Sequence, residues 1–130
     1  MYDLSVNELK LYFERVLSYQ KEYEQTKSFT VLQMFLVVLY EFMEMFAVNG
    51  KNEQAKLGRA KSFYVDFDID FIRSLFAVRG RIVHKNYLIV ENDIIDFYQI
   101  NTDVIQNLEQ FFKNRIESQE STLREVDSFN

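Results

Sequence analysis

Apolar residues fall into blocks along this chain, and within almost every block their spacing is helical. In the first block Leu9, Tyr12, Phe13, Val16, Tyr19, Gln20 and Tyr23 follow one another at helical intervals, behind Ser5-Val6-Asn7-Glu8, which has the form of a capping box. The second block, Phe29 to Val48, is the most apolar. Gln33, Glu41 and Glu44 interrupt it, and its charge-free part is shorter than the ~20 residues a bilayer requires. It therefore reads as the central helix of a bundle, paired with the first block in a helical hairpin, with no membrane contact expected. Asn49 to Ser62 is polar, holds two of the three glycines and reads as a loop made locally basic by Lys51, Lys56, Arg59 and Lys61.

A third helix is predicted from near Asp68, with Ile69, Ile72, Leu75, Phe76, Ile82 and Val83 on one stripe. Beyond it, Tyr87 to Val90 and Asp93 to Phe97 flank Glu91-Asn92 and are rich in β-branched residues, which predicts a short β-hairpin, with a continued helix as the competing reading. Asn101 or Thr102 then caps a last helix through Val104, Ile105, Leu108, Phe111, Phe112 and Ile116, which a polar tail over 117–130 either extends or leaves frayed. The expected fold is a single mainly α domain over 1–130, a bundle of four to five helices with an optional short β-hairpin after the third.

Composition removes chemistry from this picture. At 130 residues with no cysteine, one histidine and three glycines, the chain has no thiolate nucleophile, no set of metal ligands within a protomer and no Gly-rich phosphate loop, so neither metal nor cofactor is expected. Asp66, Asp68 and Asp70 alternate like the start of a calcium loop, but Phe71 and Ala77 stand where the loop needs glycine and its final acid. The net charge of −5 argues against a protein that coats nucleic acid, though not against a local basic site. The opening MYDLSVNELK lacks the basic and apolar pattern of a signal peptide, from which a cytoplasmic protein is expected.

Arg73 to Tyr87 carries the most information. On a helical wheel with Ile72 at zero, Leu75, Phe76, Ile82 and Val83 fall within about 80°, and Arg79 lands about 20° away, in the centre of the stripe. A guanidinium cannot lose its charge, so Arg79 requires an anion, a carboxylate such as Glu41 or Glu44, or a cleft. His84 follows five residues later, about 140° round a straight helix, so the two converge only if the helix bends at Gly80 or a symmetry mate supplies a second copy. An imidazole that moves protons beside a fixed cation suits cleavage of RNA by its own 2′-hydroxyl. One imidazole per chain leaves the second proton-transfer role to a two-fold partner.

Arg79-Gly80-Arg81-Ile82-Val83-His84, near the end of the third helix, resembles the Arg-x4-6-His signature of the HEPN superfamily. That resemblance implies a small α-helical, dimeric domain of the kind found among ribonucleases and toxins of prokaryotic defence systems. Arg79 takes the place of the motif arginine and His84 that of the motif histidine. Gly80 departs from the polar residue common after the arginine, and Asn86 stands where one modified subgroup has tyrosine. The expectation is a metal-independent endoribonuclease or RNase toxin with Arg79 and His84 as catalytic residues and Arg81, Lys85 and Asn86 holding RNA. Its expected partners are a second copy and an antitoxin or other protein. The rival is a non-catalytic interaction module, an antitoxin, adaptor or phage-encoded binding protein, in which Glu41 or Glu44 neutralises Arg79.

Overall fold

The computed structural model describes residues 6–48, 69–84 and 91–129, with side chains at 6–46, 70–84 and 91–121. Over these residues the chain forms five helices, α1 (Val6–Thr26), α2 (Phe29–Val48), α3 (Ile69–Val83), α4 (Glu91–Ile100) and α5 (Thr102–Phe129), and the fold is a mainly α bundle. Ser5, the proposed cap of α1, the basic stretch from Lys51 to Lys61, and Lys85 and Asn86 lie outside the described residues.

The apolar block of α2 makes it the centre. Leu32, Phe35, Leu36 and Leu39 are fully buried, and α1, α3 and α4 all pack on this helix. Phe29–Phe46 is long and apolar enough to cross a membrane, yet half of that window is covered by the rest of the bundle, as a core helix requires. Phe13 of α1, Phe42 and Phe46 of α2 and Phe112 of α5 form one aromatic cluster. Phe42 and Phe112 meet edge to face at 4.8 Å, and Phe13 lies 5.6 Å from Phe42. Helices α1 and α2 turn at Lys27, which takes φ 54°, and Ser28 caps α2 by accepting the Val31 N–H at 3.4 Å.

The β-hairpin does not form over the part of it that is described: 91–97 lie within α4. Ile94 and Ile95 are adjacent and cannot share one face of a strand, whereas at helical spacing Ile94 and Tyr98 both become buried. Glu91 and Asp93 also occupy the first turn, where the helix dipole favours them. Asn101 joins α4 to α5 from both sides. Its carbonyl accepts the Ile105 N–H at 2.9 Å to open α5, while its side-chain amide turns back to donate to the Phe97 carbonyl at 2.8 Å. The polar tail continues α5 as helix to Phe129.

A polar network crosses the bundle where α1, α4 and α5 meet. Tyr98 donates to Glu24 Oε1 at 2.5 Å, Gln20 Nε2 donates to the Tyr98 hydroxyl at 3.5 Å, and Lys27 Nζ holds the other Glu24 oxygen at 2.9 Å. Hydrogen bonds from Tyr98 and Lys27 pull the Glu24 carboxyl below its ordinary range. Glu109 behaves in the opposite way: its Oε1 is buried with no hydrogen-bond partner among the described residues, and burial pushes the carboxyl up to about 7 despite the favourable Gln20 amide. The folded protein thus binds one more proton than the unfolded chain, whose glutamate titrates near 4.5, across the interval from there to about 7. The stabilisation is complete below that interval and is lost as pH rises through it. Thermal melts from pH 5 to pH 8 are expected to show falling stability, on the order of 1 kcal/mol after solvent screening of the exposed part of the group. Glu109→Gln should flatten the profile by raising the pH 8 melting point, and an unchanged slope would place the proton elsewhere.

Candidate functional site

Helix α3 lies on α2 through Phe71, Ile72, Leu75 and Val78, all buried. Phe71 and Val78 were absent from the predicted stripe, and Phe76 and Val83, which were in it, are 36% and 42% exposed. Relative to Ile72, the buried arc is therefore turned by about 60° from the predicted one. Arg79 sits at the edge of that arc rather than in its centre, half-buried, where α3 meets both α2 and solvent.

The group beneath Arg79 is an aromatic face. Its guanidinium carbon lies 5.4 Å from the centroid of the Tyr40 ring, on α2, and Tyr40 in turn packs against Phe76 with centroids 5.8 Å apart. Glu44, one turn further along α2, is the acid that acts on this pair. Arg79 attracts the Glu44 carboxylate, but burial outweighs that attraction and leaves the carboxyl above its ordinary range. No ion pair within 4.0 Å closes between them among the described residues, and Arg79 Nε is buried without a hydrogen-bond partner there. The Tyr40 hydroxyl is likewise buried without a well-formed hydrogen bond, and its burial, with Glu44 nearby, pushes the phenol strongly up, so it stays protonated. Glu41, the other acid considered for Arg79, is exposed and lines a small crevice with Tyr12 and Arg15 away from it.

Gly80 does not bend the helix. The His84 N–H reaches the Gly80 carbonyl at 2.9 Å, continuing the α-helical pattern to the end of α3. His84 is exposed there, at the negative end of the helix dipole. Even so, Arg79 and His84 border a single open depression of about 370 Å³, together with Phe76, Ala77, Gly80 and Arg81. They reach it from neighbouring turns of a straight helix, with Gly80 between them. Arg81 is exposed on the same rim, whereas Arg73 is an ordinary surface charge.

Chemically, the depression is bordered by a half-buried cation, a second, exposed cation, an exposed imidazole and an aromatic edge. Such a set fits a phosphate with a flat or apolar group beside it. Tyr40 was not singled out from the sequence. The available signal was a hydroxyl-bearing ring one turn before Glu44 on the most apolar helix, where its polar atom would need a reason to be buried. Comparison with family models, curated proteins and solved structures finds no match to this chain.

Because the Tyr40 hydroxyl is buried without a well-formed partner while its ring carries Arg79, Tyr40→Phe is expected to be neutral or stabilising by up to about 1 kcal/mol in chemical denaturation. Tyr40→Leu should destabilise by about 2 kcal/mol through lost packing and the lost cation–ring contact. A Tyr40→Phe loss as large as that of Tyr40→Leu would show that the hydroxyl, not the ring, is what the site uses.

Proposed function

We propose that this protein is a metal-independent endoribonuclease, an RNase toxin of a defence or toxin–antitoxin system, acting through Arg79 and His84. The observation that supports the reading is the shared depression: the one histidine of the chain and Arg79, which closes no ion pair among the described residues, border the same open space. In the proposed reaction a ribose 2′-hydroxyl attacks the adjacent phosphorus and gives up its proton to an imidazole. The bond from phosphorus to the 5′-oxygen breaks, and the leaving oxygen takes a proton. The products are a 2′,3′-cyclic phosphate and a 5′-hydroxyl. Arg79 neutralises the charge that accumulates on the phosphoryl oxygens, with Arg81, Lys85 and Asn86 as the RNA-holding groups. Each chain brings one imidazole, so a homodimer that joins two depressions supplies both proton-transfer roles.

A specific observation also favours the second reading, a non-catalytic interaction module: Glu44 lies close enough to Arg79 for the two charges to act on one another. The absence of a closed ion pair among the described residues favours the nuclease.

Incubation of labelled RNA with purified protein in EDTA should yield cyclic-phosphate ends, and Arg79→Ala and His84→Ala should each lower the rate on the order of 10²–10³-fold. Wild-type protein that leaves RNA intact, or variants that cleave as it does, would refute the nuclease reading.

A further inference from the structure

Helix α4 has ten residues, fewer than the roughly 12–15 that an isolated helix needs to persist in water, so it is helical only through what holds it to its neighbours. Those holds are few. Ile94 and Tyr98 are its buried side chains, and Phe97 stacks on Phe71 of α3 with centroids 5.8 Å apart. The Tyr98 hydroxyl donates to Glu24 of α1, and its ring stands edge-on to Tyr23 and Phe35. At the C-terminal end the Asn101 amide and the Thr102 hydroxyl donate to the Phe97 and Tyr98 carbonyls, which makes that end a pivot on α5.

Glu109 of α5 belongs to the same corner as Tyr98. The Gln20 amide that donates to the Tyr98 hydroxyl also favours the Glu109 carboxylate, and Glu24 and Glu109 both act on the Tyr98 phenol. The other titratable and charged groups around it are Tyr23, Glu24 and Lys27 on α1 and, one turn further along α5, the exposed Lys113. The corner meets α2 at the uncharged Phe35 ring and α3 at Phe71. Among the described residues no ion pair within 4.0 Å includes Glu109.

We propose that α4 is a proton-held clasp: while the Glu109 carboxyl is neutral the corner between α1, α4 and α5 stays dry and α4 stays closed, and once it ionises a larger fraction of molecules swing α4 open about Asn101 so that water reaches the charge. The proposal does not rest on the nuclease reading. Opening is local because α4 has little to lose: it gives up two buried side chains, the Phe97–Phe71 stack and the Tyr98–Glu24 bond, while the aromatic cluster of α1, α2 and α5 stays intact. With α4 closed, burial holds the Glu109 carboxyl up at about 7; with α4 open, the hydrated group returns towards its ordinary 4.5. The proton therefore stabilises the closed form at low pH, and that stabilisation is lost as pH rises through about 7. Between pH 6 and pH 8 the open fraction should rise by up to about tenfold, and by several-fold once the exposed part of the carboxyl is allowed for.

Amide hydrogen exchange of the full chain, resolved by residue, corrected for the intrinsic pH dependence of exchange and repeated at low urea concentrations, tests the clasp. The α4 amides are expected to exchange faster than those of Leu32 to Leu39 in α2 and with little urea dependence, as a local opening requires. Their protection should fall by about three- to tenfold from pH 6 to pH 8. Glu109→Gln should retain at pH 8 the protection it has at pH 6. Tyr98→Phe, which keeps the ring and removes the hydroxyl, should lower α4 protection at both pH values. The proposal is overturned if the α4 amides exchange only when the core unfolds, if their protection is equal at the two pH values, or if Glu109→Gln keeps the wild-type slope. Tyr98→Phe that leaves α4 protection unchanged also overturns it. So does a pH-dependent melting point with pH-independent α4 exchange, which would mean that water reaches Glu109 without any movement of α4.

Discussion

A guanidinium cannot discharge, and Arg79 is fixed at the edge of a helix whose other residues must be buried. Phe71, Ile72, Leu75 and Val78 seat α3 on α2, and that seating brings Arg79 over whatever α2 presents at the seam. What α2 presents is the face of Tyr40 rather than a carboxylate in contact. A ring face attracts the cation but satisfies none of its N–H donors, and among the described residues Nε has no hydrogen-bond partner. Glu44 contributes attraction from nearby without closing a pair. Arg79 is thereby held on the ring without a closed ion pair among the described residues, as the proposed anion-binding role requires.

The rest of the bundle makes that arrangement rigid. The aromatic cluster of Phe13, Phe42, Phe46 and Phe112 ties α1, α2 and α5 together, so the surface on which α3 rests is fixed from the far side of α2. The Glu24–Tyr98–Gln20 network and the Asn101 junction position α4 and α5. The core therefore presents one aromatic support, Tyr40, to both the cation and the Phe76 ring.

The elements with strong helical periodicity could be read directly from the sequence. The α1 stripe apart from Tyr12, which is 41% exposed, the helix α2 and the apolar positions of α5 up to Ile116 are where the spacing puts them, and the block from Phe29 to Val48 is a core helix as its interrupting acids implied. The segment 91–97 was misread because a run of β-branched residues carries a propensity signal, and propensity yields to packing when adjacent isoleucines cannot both face inward on a strand. The α3 stripe was recognised but misaligned. Counting Phe76 and Val83 as core turned the wheel by about a turn's sixth and put Arg79 at the centre of an arc whose edge it occupies. Glu44 and Glu41 could be named as candidates, but only the seam between α2 and α3 separates the one that acts on Arg79 from the one that faces solvent. Tyr40 escaped because an aromatic residue in an apolar helix looks like core, and its role comes from a helix some forty residues later in the chain. Gly80 was considered as a hinge, but the unbroken hydrogen bond from the His84 N–H to its carbonyl carries the helix through it.

The central claim, which rests on the proposed function, is that Arg79, held on Tyr40 with no closed ion pair among the described residues, binds an anion through its guanidinium. Nitrogen-15 NMR of the arginine Nε–H groups, assigned through Arg79→Lys and titrated with inorganic phosphate, tests it directly. The account predicts that the Arg79 resonance moves on addition of phosphate, with slower solvent exchange, while that of Arg73 does not, and that Glu44→Gln leaves the response in place. An Arg79 resonance that ignores phosphate and moves only when Glu44 is replaced would show a closed internal ion pair and contradict the account.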